Sequence, residues 1–385
     1  MIENIVVGSG ASAIGVCLGL ERMQEEYKVI YDKENFVTRK EIQGIKDSIL
    51  FRSGLNGLSE LWHGVFSLEN FSSSMQDEEI ISHLYGKSTY EKIKSKLGKK
   101  YFFIPWKQIS FSKYVSVREN SIRDSVEHIK IDSSVLVKLK SGRQIKTKRL
   151  WLCSGAFNTP KILEASKLAT RNKYISDHLC GYVGSVESSE FKNEINYLNP
   201  SYIKSYIKSK DLECTYQLRP AMFDFKNLST AINFRTVYSN QSYSVVSKVL
   251  KSLSPGLYLE AAHNKFGVPK NSEIMNVFVQ IEAKNIYETN SLKTNEKELK
   301  MMTIKLQKDF LEIFKIKAYE DLQLFSGIHF FNSIDIKSDE LDCLEKDKII
   351  NICDASNKNR IGGTHPTFPI IRDNYKLVIQ TFSNT

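Results

Sequence analysis

The stretch Ile5-Val6-Val7-Gly8-Ser9-Gly10-Ala11-Ser12-Ala13 runs from an apolar strand through a glycine turn into a helix. The spacing predicts a strand over 3–7, a helix over 11–26 and a second strand over 28–32, which contains Val29-Ile30-Tyr31-Asp32. The turn has the form GxGxxG/A. Gly8 permits the tight exit from the strand, Gly10 lets backbone approach a pyrophosphate, and Ala13 lets helix and strand pack closely. The helix N-terminus offers unpaired N–H groups and a partial positive charge to phosphate. Asp32 falls where an acidic side chain accepts hydrogen bonds from an adenosine ribose. These residues read as a site for the ADP half of a dinucleotide. On this evidence alone NAD and FAD both remain open.

A chain of 385 residues suits two domains or one large composite. Hydrophobic residues make up 41% and charged residues 25%, the balance of a soluble globular chain rather than a disordered one. No run approaches the ~20 apolar residues that span a bilayer. Met1-Ile2-Glu3-Asn4 leads into the first strand without a basic n-region or cleavage site, which predicts a cytoplasmic protein. Six cysteines (17, 153, 180, 214, 343 and 353) are scattered without a CxxC pair, so neither a metal site nor a disulfide framework is indicated. The formal charge of +10 is carried in short groups, such as those within 92–100 and 138–149. Without a basic tail or a nucleic-acid motif, this reads as a solvated, lysine-rich surface that would attract an anionic cofactor or substrate.

Farther along, residues 51–64 are rich in Gly and Ser and read as a loop entering a helix. Ile80, Ile81, Leu84, Tyr90, Ile93 and Leu97 suggest helix over 76–97, interrupted by Gly86. Val135, Val137 and Leu139, with the Ser141-Gly142 turn, predict a hairpin within 126–153. A helix is expected over 160–168, with Asn158 or Thr159 as N-cap and Pro160 in its first turn. Residues 184–290 read as short β-like runs and polar loops. Within them Val245, Val246, Val249, Leu250 and Leu253 form an apolar stripe, read as a core-facing helix. The clearest amphipathic helix is 293–316, with Leu299, Met302, Leu306, Phe310 and Ile313 on one face. A strand at 349–353, a glycine-rich turn and a final helix or extended segment follow. There is no internal repeat, so the nucleotide-binding unit is expected to draw on both ends of the chain.

Three further segments carry a family resemblance. Gly54-Leu55-Asn56-Gly57-Leu58-Ser59-Glu60-Leu61-Trp62-His63-Gly64 resembles the second glycine-rich segment of the glucose–methanol–choline (GMC) flavoprotein oxidoreductases. Ser154-Gly155-Ala156-Phe157-Asn158-Thr159-Pro160-Lys161-Ile162-Leu163 is similar to that family's Gly-Ala-x-x-Thr-Pro signature. Asp354-Ala355-Ser356, with Gly362-Gly363-Thr364-His365-Pro366-Thr367, resembles its C-terminal block. With the first glycine turn, the segments stand in the family's order. The chain departs from the pattern at Asn56, where a glycine is usual, at Leu58, and at Lys358-Asn359.

The resemblance implies an α/β fold: a Rossmann-like FAD-binding domain (1–183 and 335–385) and a second α+β substrate domain (184–334) built on an antiparallel sheet. It implies FAD without a covalent link, because Leu61 stands where some sugar-oxidising relatives carry the linking histidine. Gly8, Gly10, Ala13 and Asp32 would hold the ADP part. Gly57 and Ser59 would approach the pyrophosphate and ribityl chain, and Val126 would contact adenine through its backbone. Gly155 would close against the cofactor, and Asp354 would sit beside the phosphate–ribityl region.

Oxidising an alcohol needs a base for the hydroxyl proton and an acceptor for the carbinol hydride. Histidine suits the first role, and flavin N5 the second. Among seven histidines, His329 lies in Ser326-Gly327-Ile328-His329-Phe330-Phe331-Asn332-Ser333, which resembles the family's His-x-x-Gly-Thr segment. His365 stands where relatives carry His or Asn. His329 is expected as the general base and His365 as a second hydrogen-bonding group on the substrate oxygen. His178 matches a family pattern but reads as structural. Phe325, Phe330 and Phe331 suit either core packing or a substrate wall. The expected activity is FAD-dependent oxidation of a CH–OH group in a sugar or other small alcohol, with an undefined electron acceptor. A flavoprotein reductase, an NAD-dependent enzyme on the same fold and a non-catalytic binding protein are the alternative readings.

Overall fold

Val6, Val29, Tyr31 and Trp151 are buried in one core cluster, and Ile5, Val7, Ile30, Leu150 and Leu152 in another. Neighbouring residues alternate between the two because side chains along a strand point to opposite faces. A strand covered on both faces is apolar throughout, which is why Ile5-Val6-Val7 shows no polar alternation. These strands form the centre of the computed structural model. It describes residues 1–33, 37–40, 49–61, 65–96, 100–103, 109–115, 121–195, 203–220, 273–320, 322, 324–335, 349–358 and 366–383.

The protein is mixed α/β. In its seven-stranded sheet, Ser121–Arg123, Tyr27–Tyr31, Ile2–Val7 and Gln144–Leu152 lie side by side in parallel. Leu150 to Leu152 also pair in parallel with Ile350–Ile352. The earlier half of the same strand pairs antiparallel with Val135–Leu139, which in turn pairs with Val126–Ile131. The buried Asn4 ties the three central strands, accepting from Trp151 Nε1 at 3.2 Å and donating to the Glu26 carbonyl at 3.0 Å.

The helices Ala11–Arg22, Met75–Tyr85 and Thr367–Ser383 bury apolar side chains against one face. Helix Gly155–Ala165 and the antiparallel strands cover the other. The first helix meets the last nearly backbone to backbone. A Cβ on Gly15 would lie 2.2 Å from the Ile371 carbonyl oxygen, and one on Gly19 would lie 2.7 Å from Val378 Cβ.

The first helix ends at Arg22, short of the expected 26. Gln24 adopts a left-handed φ of 59°, and the N–H groups of Gln24 and Glu25 donate to the Glu21 and Leu20 carbonyls at 3.1 and 2.9 Å. This is a glycine-type C-terminal motif built without glycine, so the sequence carries no stop signal. The expected helix over 76–97 is two helices, Met75–Tyr85 and Lys87–Lys94, separated at Gly86 (φ 95°). The helix expected at 160–168 instead spans Gly155–Ala165 with Pro160 inside it. Its first turn is held by a distant carboxylate, described below, rather than by a local cap. Residues 51–64 hold no α-helix among those described; Gly57–Leu61 is a 3-10 turn. The apolar stripe at 245–253 lies outside the described residues.

A second, five-stranded antiparallel sheet runs in the order Ile207–Lys208, Cys214–Pro220, Ile274–Glu288, Tyr174–Glu187, Leu324–Ser326. Its two longest strands have 14 and 15 residues, where short runs were expected. Tyr174–Glu187 is buried almost throughout, and register shifts interrupt its pairing with Ile274–Glu288, so no clean alternation marks its length. Helix Glu296–Phe314 packs on this sheet through Leu306, Phe310 and Phe314. A Cβ on Gly184 would meet Phe310 Cζ at 2.4 Å, so the ring rests on bare backbone. No helix among the described residues is long and apolar enough to cross a membrane.

Gly15→Ala is expected to destabilise the protein by about 2 kcal/mol, because the added methyl overpacks the contact between first and last helices. Urea midpoints of the two proteins, at unchanged m-value, check it.

Candidate functional site

From Ile2–Val7 the chain moves outward to Tyr27–Tyr31 and Ser121–Arg123, then returns to place Gln144–Leu152 on the other side of the first strand. The strand order therefore reverses between Ile2–Val7 and Gln144–Leu152. In open α/β sheets such a crevice, beyond the carboxyl ends of the strands, is where ligands bind. Two helix N-termini open there, at Ala11 and Gly155, and both favour anionic groups.

Gly8 has φ +115°, and a Cβ there would lie 2.2 Å from the Cys153 carbonyl oxygen. Its N–H donates to the Ile30 carbonyl at 2.7 Å, while Cys153 N–H donates to the Val7 carbonyl at 2.8 Å. Only glycine fits this junction of three strands. A second loop joins through Ser9, whose hydroxyl donates to the Gly54 carbonyl and accepts from Asn56 N–H, both at 3.2 Å. A third joins through Ser154, whose hydroxyl donates to the Val7 carbonyl at 3.1 Å. Against Gly10, Gly57 and Gly155, by contrast, an added Cβ would meet no atom of the described residues within 4 Å. The three turns are locked to one another by side chains and leave open space over their glycines.

Asn56, the departure from the glycine pattern, has φ 73°. Asparagine enters the left-handed region more readily than other side-chain-bearing residues. Its Oδ1 accepts Ser112 N–H at 3.0 Å, and its carbonyl accepts the Ser59 hydroxyl at 2.7 Å. The buried Ser59 hydroxyl thus serves its own turn. Ala13 is fully buried in the first helix. Half-buried Asp32 follows Tyr31, whose carbonyl accepts Asp124 N–H at 3.0 Å. Val126 starts the next strand two residues later, so Asp32 and Val126 border the same corner of the sheet.

Asp354 is 2% exposed, and both its carboxylate oxygens are engaged. Oδ2 accepts Gly155 N–H at 2.8 Å and the Thr159 hydroxyl; Oδ1 accepts Ser356 N–H at 2.9 Å and the Ser356 hydroxyl. Burial pushes the carboxyl above its ordinary range, while the hydrogen bonds from Ser356 and Thr159 pull it back. The side chain is the cap of helix Gly155–Ala165, supplied from 199 residues away.

His329 lies in a loop pinned at every step. Ile328 N–H donates to Ser326 Oγ at 3.1 Å, and His329 N–H to Asp177 Oδ1 at 2.8 Å. Asn332 and Ser333 N–H donate to the Ala355 and Ser356 carbonyls at 3.0 and 2.8 Å. The Phe330 ring meets Phe157 of the capped helix edge-on, with centroids 4.7 Å apart. Phe325, Phe330 and Phe331 are all buried, so they pack the core. Ile328 has φ 62°, a strained conformation for a β-branched residue and typical of functional loops. The loop that carries His329 is thereby tied to the Asp354 segment through Asn332 and Ser333. His365 and His63 lie outside the described residues.

Sequence reasoning missed the polar group behind His329. Asp177 and His178 are fully buried in Tyr174–Glu187, and His178 Nε2 lies 3.4 Å from Glu282 Oε1. Burial pushes the Asp177 carboxyl up to about 6, against hydrogen bonds from Ser326, His329 and His178. The available signal was two ionisable residues inside the otherwise uncharged run 175–186.

No protein-family model matches the sequence, and no curated protein does either. Among solved structures, pyridoxine 4-oxidase from Mesorbium loti superposes with a TM-score of 0.48 at 10% identity, over 100% of this chain and 99% of that one. Formate oxidase superposes with a TM-score of 0.42 at 10% identity, over 100% and 98%. At these scores the functional reading rests on the chain's own residues.

Asp177 is ionised more easily in the unfolded chain than in the fold, so its contribution to stability is present at low pH and lost as pH rises through about 6. Between pH 4 and pH 7 the stability of the native protein should therefore fall by about 2–3 kcal/mol relative to Asp177→Asn. Parallel denaturant titrations across this range check it; equal slopes in the two proteins would contradict it.

Proposed function

We propose that the chain is an FAD-dependent oxidoreductase of GMC type acting on a CH–OH group of a sugar or other small alcohol. The observation that carries this reading is the cradle at the strand-order reversal, where Gly10, Gly57 and Gly155 each face open space on turns locked together by Ser9 and Ser154. Backbone N–H groups at two helix N-termini suit a pyrophosphate there. Asp32, at the end of the second strand, suits the adenosine ribose, and the backbone at Val126 suits adenine. Ala13 maintains the helix packing that the close approach needs. Gly57 and Ser59 shape the second turn beside the ribityl chain. Asp354 acts indirectly, by fixing Gly155 in place.

When bound, FAD supplies the two-electron acceptor for the carbinol hydride. His329 takes the hydroxyl proton, and His365 hydrogen-bonds the substrate oxygen. The clamped backbone on both sides of His329 supports the first role, since a base must be held within hydrogen-bond reach of its proton. In this reading the FAD is held without a covalent link in a Rossmann-like domain at both ends of the chain. The substrate domain corresponds to 184–334, extended back to the start of Tyr174–Glu187, because that strand pairs along its length with Ile274–Glu288. A cytoplasmic enzyme with a small-molecule substrate and no nucleic-acid partner completes the proposal.

Denaturing the purified protein should release FAD, and the bound flavin should bleach anaerobically with a suitable alcohol or sugar. Release of NAD, or of nothing after reconstitution with FAD, would overturn the assignment. His329→Ala should keep the flavin and slow its reduction by roughly 10²–10⁴-fold. An unchanged rate would remove His329 from the chemistry.

A further inference from the structure

Behind His329 stands a second imidazole that the proposed reaction does not use. The His178 and His329 rings lie with centroids 5.2 Å apart, tilted by 47°. Gly327 makes room for this pairing, because a Cβ there would lie 2.8 Å from the His178 carbonyl oxygen and 3.4 Å from His329 Nδ1. His178 is 1% exposed, and its Nδ1 has no hydrogen-bond partner among the described residues. Its Nε2 faces Glu282 Oε1 at 3.4 Å across the sheet, where the two residues are direct cross-strand partners. Buried ionisable groups are costly and persist where a partner or a function holds them.

The neighbouring carboxylate is built for the same loop. Asp177 Oδ1 accepts the N–H groups of both His178 and His329 at 2.8 Å. Its Oδ2 accepts the Ser326 hydroxyl and, at 3.3 Å, the Tyr287 hydroxyl. Four donors aimed at one carboxylate oppose, without cancelling, the burial that raises it. The groups that meet here are Asp177 and His178 from one strand, Glu282 and Tyr287 from the next, Ser326 from the third and His329 from the loop.

We propose that Asp177, His178 and Glu282 are positioning residues that clamp His329 and stabilise a proton on it. The inference rests on His329 being the base. When the substrate O–H bond breaks, its proton forms an N–H bond with the imidazole, and the positive charge appears on a residue whose backbone N–H is held by Asp177 and whose ring faces His178, itself 3.4 Å from Glu282. A nearby opposite charge favours the charged form of an imidazole. His178 carries the influence of Glu282 to His329 through direct ring proximity, and the Asp177 carboxylate is bonded to the backbone of both histidines.

The experiment is NMR titration of ¹³C,¹⁵N-histidine-labelled protein, with His329 assigned through His329→Ala. In Glu282→Gln, and separately in Asp177→Asn, the His329 midpoint should fall by about one pH unit. Midpoints unmoved in a folded variant would overturn the proposal. None of these readouts needs turnover. Shifted midpoints with no effect of His329→Ala on flavin reduction would leave the clamp intact and remove the catalytic role instead.

Discussion

The carboxylate of Asp354 is the interaction on which the candidate site depends. It is buried, and it accepts from the backbone of Gly155 and from the side chains of Thr159 and Ser356. Taking a carboxylate out of water costs several kcal/mol. Hydrogen bonds to a charged acceptor each contribute about 1.5–3 kcal/mol, and four of them offset a cost of that size. The arrangement is stable only if all four donors are in place at once. Asp354 therefore fixes the start of helix Gly155–Ala165, and with it the glycine that borders the crevice.

The consequences spread through a closed circuit of contacts. One residue before Asp354, the Cys353 carbonyl accepts Asn374 Nδ2 at 2.7 Å, which ties the segment to the last helix. The last helix lies against Gly15 and Gly19 of the first. The first helix begins at the glycine turn, and Gly8 of that turn rests against Cys153, two residues from Gly155. Each contact constrains the next, and the circuit returns to the carboxylate. Segments from opposite ends of the chain are thus held in mutual register without a disulfide; the described cysteines are free and buried.

The parts of this design that use local signals were legible in the sequence. The strand–turn–helix–strand start, the hairpin about Ser141-Gly142 and the amphipathic helix Glu296–Phe314 follow from periodicity and turn chemistry. Where a distant group replaces the local signal, the reading slipped. Helix Gly155–Ala165 begins five residues before expectation because its cap comes from Asp354, and Pro160 is tolerated inside it. The first helix ends at Arg22, with Gln24 just beyond it in a conformation that glycine usually marks. The long second-sheet strands carry no alternation because both faces are covered. His178 read as structural and Asp177 drew no reading, because nothing in a linear chain shows that their partners are Glu282 and the loop at 326–333.

That loop reveals how the two sheets cooperate. Its beginning is held by Asp177, a buried carboxylate of the antiparallel sheet, through Ser326 and the N–H of His329. Its end is held by the carbonyls of Ala355 and Ser356, which follow Asp354 at the edge of the parallel sheet. Between the anchors Ile328 and Asn332 are forced into left-handed conformations, at φ 62° and 54°. Neither anchor alone would sustain strain of about 1–3 kcal/mol per residue, because the loop could relax toward the free end. With both in place the strain is trapped, and the backbone of the histidine between them is fixed. The same two aspartates therefore hold two separate backbones, one the glycine at the helix start and the other the loop that carries His329.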